Sequence, residues 1–142
     1  MSKLSRISRV IKFSTKRKIY DDDASKFRPY LTVEFENKEQ SLSTLFISTR
    51  LTSRRSIYSQ YYVKKRGRCL SEESYVNIKF LLKLSLSSAK VEKKIKQCYH
   101  CSPACLEKEE FEEIVSLQEI WAKNNQEISP ITLKEKDLEN LR

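Results

Sequence analysis

One stretch constrains the fold of this chain more than any other: residues 75–87, YVNIKFLLKLSLS. Val76, Ile78, Phe80, Leu82, Leu84 and Leu86 put an apolar side chain at every second position. A helix would scatter that set around its circumference, whereas a strand turns all six to one face. The stretch is expected to be the strand that carries the core. Its other face holds Tyr75, Asn77, Lys79, Leu81, Lys83 and Ser85 and is expected to meet solvent or a partner.

Shorter runs of the same kind precede it. In residues 30–36, Leu31, Val33 and Phe35 alternate with Thr32 and Glu34, which reads as a half-buried strand. Residues 37–40 are polar and suit a turn. Residues 41–51 form a second run, with Leu45, Ile47, Thr49 and Leu51 opposite Leu42, Thr44, Phe46 and Ser48. Residues 56–63 are rich in Tyr and β-branched residues and make a third. The break at 64–68 contains the single glycine, Gly67.

The ends read as helical. Leu4, Ile7, Val10 and Ile11 fall at helical spacing within the acid-free residues 2–19, which predicts a basic amphipathic helix. Phe111, Ile114, Val115, Leu117, Ile120 and Trp121 recur at the same spacing. Ser102 and Pro103 resemble an N-cap and first helical position, and Glu107, Glu109 and Glu110 lie where a helix dipole favours negative charge. This acidic helix is expected to run to about Asn124 and pack on the sheet. Residues 89–97 read as a short Lys-rich helix or connector, and residues 126–142 as a charged tail or weak helix. The expected fold class is α+β: an antiparallel meander of about four strands, flanked by an N-terminal basic helix and a C-terminal acidic amphipathic helix. A basic arm and acidic linker occupy 1–23, a single domain 24–125 and the tail 126–142.

Composition narrows the function. One Gly in 142 residues leaves no Gly-rich phosphate loop, dinucleotide fingerprint, RNP1 or GXXG signature. One His, His100, leaves no His-based metal triad, and no oxyanion-hole motif is readable. The chain is expected not to be an enzyme. It has neither an 18-residue apolar run nor the apolar core of a secretory signal. It is therefore expected to be intracellular, in the nucleus or cytoplasm of a host cell or in a mitochondrion.

The net charge of +9 is unevenly spread. Residues 1–20 and 50–68 each hold seven basic groups and no acid, while 106–142 hold ten acids against five bases. In the second basic segment, Arg50, Arg54, Arg55, Lys64, Lys65, Arg66 and Arg68 surround Tyr58, Tyr61 and Tyr62. Cations neutralise phosphates and aromatic rings stack on unpaired bases. On a strand Tyr58 and Tyr62 share one face, and Ile57, Tyr61 and Val63 share the other. The candidate nucleic-acid-binding set is those seven cations with Tyr58 and Tyr62, extended by Lys79 and Lys83 on the next strand. RNA is the favoured partner, bound without sequence specificity. This make-up also suits a viral accessory protein. One alternative is a matrix-type protein that binds an anionic membrane through its N-terminal arm and a protein through the acidic helix 106–125. Another is an organelle ribosome component with an N-terminal targeting segment. The open face of the long strand is compatible with a homodimer.

Three cysteines and the sole histidine fall within residues 98–105, CYHCSPAC. Cys98 and Cys101 have the spacing that lets two thiolates hold one Zn²⁺ from a tight turn. Cys105 and Cys69 would complete a four-cysteine site. Buried free cysteines are the competing expectation. A Cys98–Cys101 redox pair is a third, without the βαβ context such pairs occupy.

Overall fold

The computed structural model describes residues 4–16, 28–48, 60–63, 74–97, 106, 108–127 and 130–139. The elements are β1 (Leu4–Thr15), β2 (Arg28–Glu36), β3 (Ser41–Ser48), β4 (Gln60–Val63), β5 (Ser74–Ser85), α1 (Ser88–Gln97) and α2 (Lys108–Asn124). After them come β6 (Ile131–Lys134), a 3-10 turn (Glu135–Asp137) and β7 (Leu138–Glu139). The strands form one sheet in the order β4-β5-β3-β2-β1-β7, with β6 also on β5. Every pairing is antiparallel except the parallel β5–β6 pair.

The chain is therefore mostly strand, and the expected α+β meander of four strands between two flanking helices is wrong. Its N-terminal basic helix is a strand, β1, paired along β2. The helical reading left out Phe13, which is fully buried and stacks on Tyr30 with ring centroids 4.0 Å apart and planes 9° from parallel. Ile7, Val10 and Ile11 are β-branched, which lowers helix propensity and suits a pleated surface. Pairing with β2 decides the outcome. The meander also breaks at β4. Instead of lying beside β3, β4 crosses to the far edge of β5, and β3 takes the near edge.

The third departure is the C-terminal segment, neither tail nor helix. Ile131–Lys134 runs parallel to β5, and four residues later Leu138 and Glu139 pair with Thr15 and Ser14 of β1. The amide of Lys16 also donates to the carbonyl of Asp137 at 2.8 Å. In a flat sheet the outer edges of β5 and β1 would hold strands about 24 Å apart, at about 4.8 Å per step. Four residues of chain reach at most about 14 Å. The sheet must therefore curl until its edges meet, so that 131–139 acts as one stave closing a small barrel.

Closure gives the sheet two buried faces. The barrel interior gathers Ile11, Phe13, Tyr30, Phe35, Leu42, Leu82, Leu84, Leu86 and Leu133, with Val91 of α1 among them. Tyr30 bridges Phe13 and Phe46, meeting the latter edge-on at 5.8 Å. The outer face gathers Val10, Leu31, Leu45, Ile47, Val63, Val76 and Ile78 beneath Phe111, Ile114 and Val115 of α2. The alternating apolar residues Val76, Ile78, Leu82, Leu84 and Leu86 thus do not share one core. Leu45 pairs with Leu81 but Ile47 pairs with Val76, so β5 carries three extra residues between these points. Within the irregular stretch the side-chain oxygen of Asn77 accepts the Lys79 amide at 2.9 Å, a local bond that competes with the ladder. Val76 and Ile78 face outward, and Leu82 and Leu84 face inward.

The turn at 37–40 ties the end of β5 to α1. Gln40 adopts a left-handed φ of 53°. Its carbonyl accepts the Leu86 amide at 3.0 Å and its side-chain oxygen accepts the Ser88 amide at 2.5 Å. Ser87 caps the helix, its hydroxyl accepting the Lys90 amide at 3.2 Å.

Leu133 is fully buried in the barrel interior. Leu133→Ala is expected to cost about 2–5 kcal/mol in equilibrium denaturation, the range for a core leucine. A frayed tail would show a change within about 0.5 kcal/mol, and that result would contradict barrel closure.

Candidate nucleic-acid interface

β4 lies in the middle of the basic segment and is anchored by alternate side chains. Val63 is fully buried in the outer core and Tyr61 packs against it. The Tyr61 hydroxyl donates to the Glu113 carboxylate of α2 at 2.8 Å. Tyr62 points the other way and is 42% exposed. Its cross-strand partner is Tyr75, with ring centroids 5.4 Å apart and planes 53° from parallel. Gln60 pairs with Asn77 one step along. Gln60, Tyr62, Tyr75 and Asn77 therefore form one polar and aromatic face. It is the same side of the sheet that lines the barrel lower down, because Ser48–Tyr75 and Thr44–Leu82 are pairs on that side. Above the barrel β6 is absent and β4 takes its place on the edge of β5.

Charge is segregated across this sheet. β4 and β5 contain no acid. Glu109, Glu112, Glu113 and Glu119 are exposed on α2, against the outer face. Burial first, then the hydrogen bond to Glu113, then the negative charges of Glu113 and Glu110 push the Tyr61 phenol up to about 12. Glu72 and Glu73, the acids nearest to Tyr75 in sequence, lie outside the described residues.

Strict alternation along β5 places Tyr75, Lys79 and Lys83 on one surface. The register shift separates them. Lys83 shares the outer side with Leu81, away from Tyr62 and Tyr75. Lys79 is half-buried within the irregular stretch itself. Arg50, Arg54, Arg55, Tyr58, Lys64, Lys65, Arg66 and Arg68 lie outside the described residues, as do Cys69, Cys98, Cys101 and Cys105. Among the described residues no three His, Cys, Asp or Glu side chains cluster to hold a metal. No helix among them is long and apolar enough to cross a membrane. Tyr75 is the residue that the candidate set omits. Its position opposite the apolar residues of the long strand is the available signal, but its pairing with Tyr62 requires the β4–β5 register.

The side chains on α2 make a second surface. Lys108, Phe111, Glu112, Val115, Ser116 and Glu119 line a shallow open groove, and Ile120 is 58% exposed.

The Tyr61–Glu113 bond predicts a pH dependence. The folded phenol ionises near 12 and the unfolded one near 10, so the folded state holds the proton more tightly. That contribution to stability is intact below pH 10 and is lost as pH rises toward 12. In a spectrophotometric titration Tyr61→Phe should remove one late-ionising tyrosine, and an unchanged titration would contradict the bond. Comparison with known protein families, with characterised proteins and with solved structures finds no match to this chain.

Proposed function

We propose that this chain is a small non-enzymatic nucleic-acid-binding protein of the cell interior, with RNA as its favoured partner. The observation that carries this reading is the segment 50–68, with seven cations, three tyrosines and no acid. Lysine and arginine gain affinity by releasing counterions from phosphates, independently of sequence. What supports it further is how β4, the described part of the segment, is held. β4 is fixed in the sheet by Val63 and Tyr61, so Arg54 and Arg55 precede, and Lys64, Lys65, Arg66 and Arg68 follow, a rigid strand. The carboxylates of α2 lie against the other side of that strand, where they repel a polyanion least.

The membrane reading relied on an amphipathic N-terminal helix, and residues 4–15 are instead β1, with Ile11 and Phe13 in the core. A structural zinc held by Cys69, Cys98, Cys101 and Cys105 belongs to the proposal as a local staple. Native mass spectrometry of freshly purified protein should then show one bound zinc, and metal-free protein would remove that staple.

A filter-binding titration against RNA, duplex DNA and anionic vesicles at two salt concentrations tests the main reading. Replacing Arg54, Arg55, Lys64, Lys65, Arg66 and Arg68 with serine should weaken RNA binding at low salt. It should also flatten the salt slope by about 0.7 for each phosphate of a single strand that the protein no longer neutralises. Unchanged affinity and slope in that variant would overturn the assignment.

A further inference from the structure

We infer that Tyr62 and Tyr75 form a stacking step for unpaired bases, so that the protein takes nucleic acid as a single strand in preference to a duplex. This rests on the nucleic-acid reading and deepens it. The geometry is that of a platform. Two tyrosines are direct cross-strand partners on adjacent strands, their centroids are 5.4 Å apart, and they lie on one face. Tyr62 is one of only two large hydrophobic side chains exposed among the described residues. The exposed Tyr62 ring, braced by a second ring tilted 53° from it, offers an apolar face on which a base can stack, and every base has such a face.

The described surroundings place no acid against an anionic ligand on that face. The neighbours of the pair on that face are Gln60, Asn77 and Ser48, all neutral hydrogen-bonding groups. Lys79 follows on the same strand. The acidic helix packs on the opposite face, where Glu113 holds Tyr61. A strand of nucleic acid lying across β4 and β5 would thus meet the exposed Tyr62 ring with no described carboxylate beside it. In a duplex the bases are already stacked on each other, so the rings have nothing to cover and only phosphate attraction remains. The competing account of the pair is an ordinary cross-strand aromatic contact that stabilises the edge of the sheet. The two accounts differ in what ring removal does to binding.

The test is fluorescence anisotropy of the full chain with a labelled single-stranded RNA of about 12 nucleotides, within the span of one small barrel. The same sequence annealed as a duplex is the second probe, and thermal unfolding of each variant is followed by circular dichroism. The intact protein should bind the single strand at least about tenfold more tightly than the duplex. Tyr62→Ala and Tyr75→Ala should each weaken single-strand binding by about fivefold or more, the loss expected for one stacked base. Duplex binding should stay as it was, and Tyr75→Phe, which keeps the ring, should bind like the parent. Should Tyr75→Ala unfold, the exposed Tyr62→Ala and the Tyr75→Phe pair decide the question. Equal affinity for both probes, or equal losses on both, overturns the stacking step and leaves the electrostatic reading in place. Absence of binding to either RNA at low salt overturns both.

Discussion

The side-chain oxygen of Asn77 takes the amide hydrogen of Lys79, two residues further along its own strand. Much of the architecture depends on the slip in β5 that contains this bond. A regular 12-residue strand spans about 40 Å, and its alternating apolar residues would need a single core of that length. The slip divides the strand. Val76 and Ile78 meet helix α2 on the outside, whereas Leu82 and Leu84 enter the barrel. The two cores lie back to back and share one sheet. Because the pleat is displaced, Tyr75 ends on the side opposite Lys83, and the aromatic step with Tyr62 stands apart from the buried clusters.

The same division sorts charge. The helix that covers the outer core brings its carboxylates to that side, and one of them fixes Tyr61. Tyr61 and Tyr62 are adjacent in sequence yet do opposite things. One ties β4 to the acidic helix and the other meets solvent. The exposed face and the packing face of β4 are thus set by the two-residue period of a strand, and the electrostatic contrast between them follows without further design.

Much of the local structure is legible in the sequence, and little of the topology is. Periodicity locates β2, β3, β5 and the acidic helix to within a few residues, because each buries enough periodically spaced apolar residues to mark its type even where the register slips. The first strand is ambiguous because Leu4, Ile7, Val10 and Ile11 satisfy a helical period while Ile11 and Phe13 satisfy a strand period, and only the partner strand decides between them. Leu133 and Leu138 sit among charges in short runs, too brief to reveal a stave that hydrogen-bonds to two different strands. The slip in β5 has no pattern of its own in the sequence, where Asn77 is an ordinary polar residue on an open face. At the candidate site the outward turn of Tyr62 follows from alternation, but its pairing with Tyr75 depends on a register that local pattern does not encode.

The pairing of Ser14 with Glu139 also bears on how the molecule comes to be folded. The hydroxyl of Ser14 donates to a carbonyl 125 positions away in sequence. Contacts of that span are entropically expensive until the intervening chain is already compact, and topologies dominated by them fold in milliseconds to seconds, not microseconds. β2 and β3 can pair across the four-residue turn 37–40 and β1 joins β2 across twelve residues, but the end of β1 at Ser14 and Thr15 stays unsealed until the last strand arrives. During that interval β1 presents an unpaired backbone edge and an aromatic interior to other chains, the condition under which β-rich proteins aggregate.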